Sequence, residues 1–86
     1  MAKGGESMKL VTLLNLMLRD TVVNLELTYR DDKNILTRQS AVRKVKDVES
    51  FFKENDLHIY EFDVTRILPT VKEDLIMLQI IARRWY

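Results

Sequence analysis

Cysteine is absent from the chain, which removes disulfide frameworks, thiolate zinc sites, CxxC redox chemistry and cysteine nucleophiles together. Both glycines, Gly4 and Gly5, stand in the opening "MAKGGES". Every turn in the body must therefore be made without glycine, and no glycine-rich phosphate loop of the dinucleotide or Walker kind can form. Pro69 is the one proline and His58 the one histidine, so a histidine-based metal or general-base cluster is excluded as well. No apolar run reaches membrane-spanning length. The opening residues have neither the basic start nor the apolar stretch of a signal peptide. Charge of one sign is lacking too: the formal net charge is +1, so attraction to a polyanion has to come from local clustering.

What is present is a chain of 86 residues, 47% hydrophobic and 31% charged. That length makes a single small domain with little room for a deep pocket, and nearly every large apolar side chain is needed for the core. Residues 1–7 read as a flexible tail and 8–86 as the domain. Met8 is a candidate natural start, with the preceding residues an added leader. An intracellular, cytoplasmic location is expected from the missing cysteines and signal.

Residues 8–18, "MKLVTLLNLML", carry Leu10, Leu13, Leu14 and Met17 at helical spacing, but Val11, Leu16 and Leu18 are apolar too, so the period does not decide and the dominance of Leu and Met over β-branched residues favours a helix. The stretch "TVVNLELTYRDDK", 21–33, alternates: Val23, Leu25, Leu27 and Tyr29 on one face, Val22, Asn24, Glu26, Thr28 and Arg30 on the other. That is the signature of a half-buried strand. From Ser40 to Asn55 the period becomes helical, with Ala41, Val45, Val48 and Phe52 in a stripe, Ser40 as N-cap and "END" as the stop. Alternation returns in "HIYEFDVTRIL", where Tyr60, Phe62 and Val64 share a face. Pro69 ends that strand, and Thr70 with Glu73 matches a capping box for a helix over 71–85. The competing reading makes "LIMLQII" a buried strand.

The fold expected is α/β: a small two-layer sandwich with a βαβ core, its two strands parallel through a right-handed crossover, and helices at both ends. The alternative is α+β, with residues 8–18 and 75–84 as additional strands. In hydrophobic spacing, "SAVRKVKDVESFFKENDLHIYEFDV" with the strand before it is similar to the first strand–helix–strand half of glutaredoxin-like proteins. Where that family carries its redox cysteines this chain has "LTRQS", so no catalytic residue carries over. The order of elements in "MKLVTLLNLMLRDTVVNLEL" resembles that of Sm-like RNA-binding proteins, whose glycine-bearing second strand has no counterpart in "NILTRQSAVRKV".

Glu26, Glu61 and Asp63 are the candidate carboxylate set for acid–base work or a hard cation. A solvated strand face balanced by Arg30 and Arg66 explains them more simply. His58 stands alone, and Ser40 lacks the glycines of a nucleophile elbow. No enzymatic activity, cofactor, metal or small-molecule substrate is therefore expected, and no membrane partner. Two surfaces remain. The acid-free run "KNILTRQSAVRKVK", 33–46, offers Arg38, Arg43, Lys44 and Lys46 for nucleic acid, with phosphate held at a helix N-terminus. In the C-terminal helix Val71, Leu75, Leu78, Ala82 and Trp85 supply a packing side, while Ile76 and Ile80 lie on a second side beside Arg83; Ile76, Ile80, Arg83 and Trp85 are the candidate interaction residues for a protein partner or a second copy of the chain, a homodimer. The function expected is a non-catalytic interaction or regulatory module that self-associates, with accessory nucleic-acid binding as the alternative.

Overall fold

A computed structural model describes residues 8–72 and 74–84; the expected tail, Glu73 and Trp85 lie outside them. The domain is a small mixed α/β unit. Its elements are α1 (Leu10–Asn15), β1 (Val22–Arg30), β2 (Leu36–Lys44), α2 (Val45–Glu54), a 3-10 turn (Ile59–Glu61), β3 (Asp63–Lys72) and β4 (Leu75–Arg83). The strands form one sheet in the order β2-β1-β4-β3. β1 pairs antiparallel with β2 and parallel with β4, and β3 pairs antiparallel with β4.

Alternation along β1 fixes the layers. Val23, Leu25 and Leu27 are buried and sit beside Leu78, Ile80 and Ala82 of β4. On that face both helices pack: Leu10 and Leu14 from α1, and Val45, Val48, Phe51 and Phe52 from α2, join the strands in one apolar cluster. The opposite face of the sheet carries no helix among the described residues. β3 and β2 are the two edges, and the start of β3 is covered by residues 8 and 9, where Lys9 bridges to Asp63 and the Val64 N–H donates to the Met8 carbonyl at 2.7 Å.

Two expectations about topology are corrected. The strands flanking α2 are β2 and β3, which point the same way but are separated by β1 and β4. The two strands expected to run parallel, the one in 21–33 and the one in "HIYEFDVTRIL", are β1 and β3, which run in opposite directions with β4 between them, and β1's parallel neighbour is the C-terminal strand. The C-terminal helix is that strand, β4, as the α+β alternative had it, whereas residues 10–15 are helical and not the extra strand of that alternative. β4 lies between β1 and β3 with both ladders filled, and a central strand with apolar side chains on both faces loses the simple period of two. Thr70 is a β3 residue opposite Met77, so it caps nothing. Pro69 does not end β3, because an edge strand tolerates a missing N–H on its outer side.

Without glycine, left-handed positions fall to Asn34, Asp56 and Asp74, the residue types that bear positive φ at least cost after glycine. Asp56 closes α2. The Leu57 N–H donates to the Phe52 carbonyl at 2.8 Å and the Asp56 N–H to that of Lys53 at 3.2 Å, while Leu57 and Phe52 are both buried; this is the Schellman arrangement with its apolar contact. Asp56→Gly should raise stability by up to about 1 kcal/mol, because glycine adopts this φ without steric cost. A melting temperature below wild type would contradict that account of the turn.

Candidate interaction surfaces

The basic run 33–46 divides among elements. Arg38 and Lys44 lie on β2 opposite Thr28 and Val22, and so on the open face of the sheet. Arg43 is opposite Val23, on the helical side, with its guanidinium 5.3 Å from the centroid of the Phe51 ring. Lys46 belongs to α2 and reaches Asp20 at 3.3 Å. The α2 N-terminus does not offer orphan N–H groups to phosphate as expected: the Val45 and Lys46 N–H groups donate to the Thr21 and Arg19 carbonyls at 2.8 and 3.0 Å. Ser40 lies within β2 opposite Glu26 and is not the N-cap, which falls at Lys44. β2 runs into α2 with no loop between them, which is why the helical stripe seemed to begin at Ala41.

The C-terminal interaction set also divides. Ile80 is fully buried at the centre of the sheet, so it cannot meet a partner. Arg83 faces the open side, between Asp63 and Thr28 in register. Ile76 is 74% exposed, and Arg83 is exposed as well. Ile76 has a cross-strand partner that sequence reasoning assigned to the packing side: Val71, directly opposite and 69% exposed. Ile67 and Pro69 follow Val71 at alternate positions on β3, and Ile67 is 44% exposed. By register these residues share the face of Ile80, the core face. Beyond Ile80, toward the tip of the β3–β4 hairpin, no described helix covers that face. The spacing of Ile67, Pro69 and Val71 was the available signal, hidden by ending the strand at the proline.

The carboxylates are all occupied. Glu26 on the open face accepts from the Gln79 side chain at 3.4 Å, Glu61 pairs with the Arg84 guanidinium at 3.2 Å, and Asp63 with Lys9 at 2.9 Å. Among the described residues no group of carboxylates or histidine is arranged to hold a metal. Tyr60, expected on the buried face of its strand, is in the 3-10 turn and exposed.

A cleft of about 480 Å³ opens at the end of the sheet where β1 finishes, lined by Tyr29, Asp31, Asp32, Asp56 and Arg84 among others. One of its acids serves the β1–β2 connection: Asp31 Oδ1 accepts from both the Lys33 and Ile35 N–H groups at 2.9 Å. Arg84 closes its floor, donating to the Arg30 carbonyl at 2.6 Å and standing 5.2 Å above the Tyr29 ring centroid. These contacts hold the Asp31 and Arg84 side chains in place at the cleft. No described helix is long and apolar enough to cross a membrane. Comparison with known proteins finds no match among family models, curated proteins or solved structures.

Proposed function

We propose that this domain is a non-catalytic protein-interaction module that self-associates through the outer half of its β3–β4 hairpin. The observation that carries the reading is the uncovered continuation of the core face, the exposed pair Val71 and Ile76 with Ile67 and Pro69 beside them. A small domain has few apolar side chains to spare, and a cluster of them left in water at one end of the sheet marks a contact surface. Pro69 shapes the contact. On an edge strand it deprives an added strand of one N–H donor, so association by extending the sheet is disfavoured and packing of side chains on the face is favoured. A second copy fits because the patch is self-complementary: an apolar face satisfies its like, and two copies about a twofold axis close the assembly.

The test is sedimentation of wild type and of Val71→Asp with Ile76→Asp, alongside circular dichroism. Wild type is expected to sediment as a dimer at high concentration. The double variant should be a folded monomer, because both side chains lie in water within the monomer. A wild type that stays monomeric would overturn the proposal, as would a double variant with unchanged mass.

A further inference from the structure

The open face of the sheet differs from the rest of the molecule in charge. Besides Arg30 of β1, whose guanidinium donates to the Asn34 carbonyl, register places four cations from three strands on it: Arg38 and Lys44 from β2, Arg66 from β3 and Arg83 from β4. Its carboxylates are Glu26 and Asp63, and both are engaged, one by Gln79 and the other by Lys9. In the opposite layer α2 sets Asp47, Glu49 and Glu54 against Lys46 and Lys53, with Arg43 of β2 beside it, so that side is balanced in charge. A net charge of +1 thus conceals a positive sheet face opposite a helical side of balanced charge.

From this segregation we infer that the open sheet face binds single-stranded nucleic acid. Three of the four cations are arginines, whose planar guanidinium pairs with phosphate through two parallel N–H groups and also stacks on bases. Between them stand Asn24, Gln79, Thr28 and Ser40, groups that both donate and accept hydrogen bonds and so suit base edges. An acidic protein surface would have little use for them. Val42, Leu68 and Ile81 interleave as flat apolar contacts for unstacked bases. A duplex keeps its bases stacked inside and presents only phosphates to a sheet face too broad to enter a groove. No aromatic residue of the described strands is on this face, since Tyr29 lies on the helical side in the core register. Charge must therefore dominate the affinity and sequence preference must be slight.

The experiment is fluorescence anisotropy of the full chain with labelled oligo-uridine, oligo-thymidine and a duplex of equal length. With about four phosphate contacts, raising salt fourfold from 50 mM should weaken single-strand binding ~50-fold. Arg38→Glu with Arg66→Glu should weaken it at least tenfold without changing the circular dichroism, because both side chains are exposed on edge strands. Lys53→Glu, on α2, should leave it within twofold. Absence of binding at 50 mM salt would overturn the inference. So would a duplex bound as tightly as the single strands, equal losses from Lys53→Glu, or polyglutamate binding with the same salt and variant dependence, which would reassign the face to an acidic protein. The outcome is independent of self-association, since Arg38 and Arg66 lie on the face opposite the apolar patch.

Discussion

Ile80→Asp is expected to abolish folding. Ile80 has no exposed surface and lies in the middle of β4, between Leu25 of β1 and Ile67 of β3 in register, within the apolar cluster that both helices cover. Removing the branched side chain alone costs about 2–5 kcal/mol in such a site. A carboxylate placed there has no cation or donor within the cluster, so it must be buried unpaired or protonated, at a further cost of several kcal/mol. The whole domain is stable by roughly 5–10 kcal/mol, so the combined loss exceeds what it has. The far-ultraviolet circular dichroism of the variant should be that of an unfolded chain at 25 °C. Ile76→Asp, four residues earlier on the same strand and face, should melt within a few degrees of wild type, because its side chain already stands in water. If the two variants behaved alike, the placement of the helical layer over the sheet would be wrong.

That contrast also marks what the sequence could reveal. β1 is legible almost to the residue, because it has one dry face and one wet one: the alternation over 21–33 contains the strand Val22–Arg30. The helix within 8–18 is legible in its Leu and Met composition and not in its period, which the apolar but exposed Leu16 and Leu18 blur. β2 is hidden because, as an edge strand, it buries little. Its residues alternate only between exposed and half-buried, and the chain passes directly into α2 at Val45. β4 is hidden by the reverse circumstance. Leu78, Ile80 and Ala82 face the core, Met77 and Ile81 the other side, and a run apolar on both faces matches a helix as well as a strand.

The candidate surfaces inherit these errors. Placing Ile76 and Ile80 on one exposed side followed from reading β4 as a helix, while Val71 was lost to the packing side. The basic run looked like a unit because it is contiguous in sequence, yet a strand sends Arg38 and Lys44 one way and Arg43 the other. Arg66 and Arg83, remote from that run, join Arg38 only through the β2-β1-β4-β3 order. No local pattern encodes that order. The two proposed surfaces then fall on opposite faces of one sheet, so a dimer formed through the hairpins leaves both positive faces exposed. Two such faces on one strand would raise apparent affinity without any new contact.

Phe62→Ala should give the largest loss of stability among substitutions that introduce no charge. Phe62 joins the 3-10 turn to β3 and is fully buried. Its ring stands edge-on to Phe52 at 5.3 Å and to Tyr29 at 5.9 Å, and the Arg84 guanidinium lies 5.9 Å from its centroid. Its carbonyl accepts the Leu10 N–H at 3.0 Å, which fixes the start of α1 on the sheet. Truncation to alanine is expected to cost about 3–5 kcal/mol through lost burial and the cavity left behind. Phe62→Leu keeps much of the apolar volume but removes the ring contacts, each worth about 0.5–1.5 kcal/mol, so it should cost roughly 1–2 kcal/mol. Urea denaturation with an unchanged slope measures both. Arg84→Lys keeps the charge near Glu61 yet loses the planar fork that spans Glu61, the Arg30 carbonyl and the two rings. Since Arg84 and Phe62 touch, Phe62→Leu combined with Arg84→Lys should cost less than the sum of the two alone. Strict additivity would show that the guanidinium gains nothing from the Phe62 ring beside it.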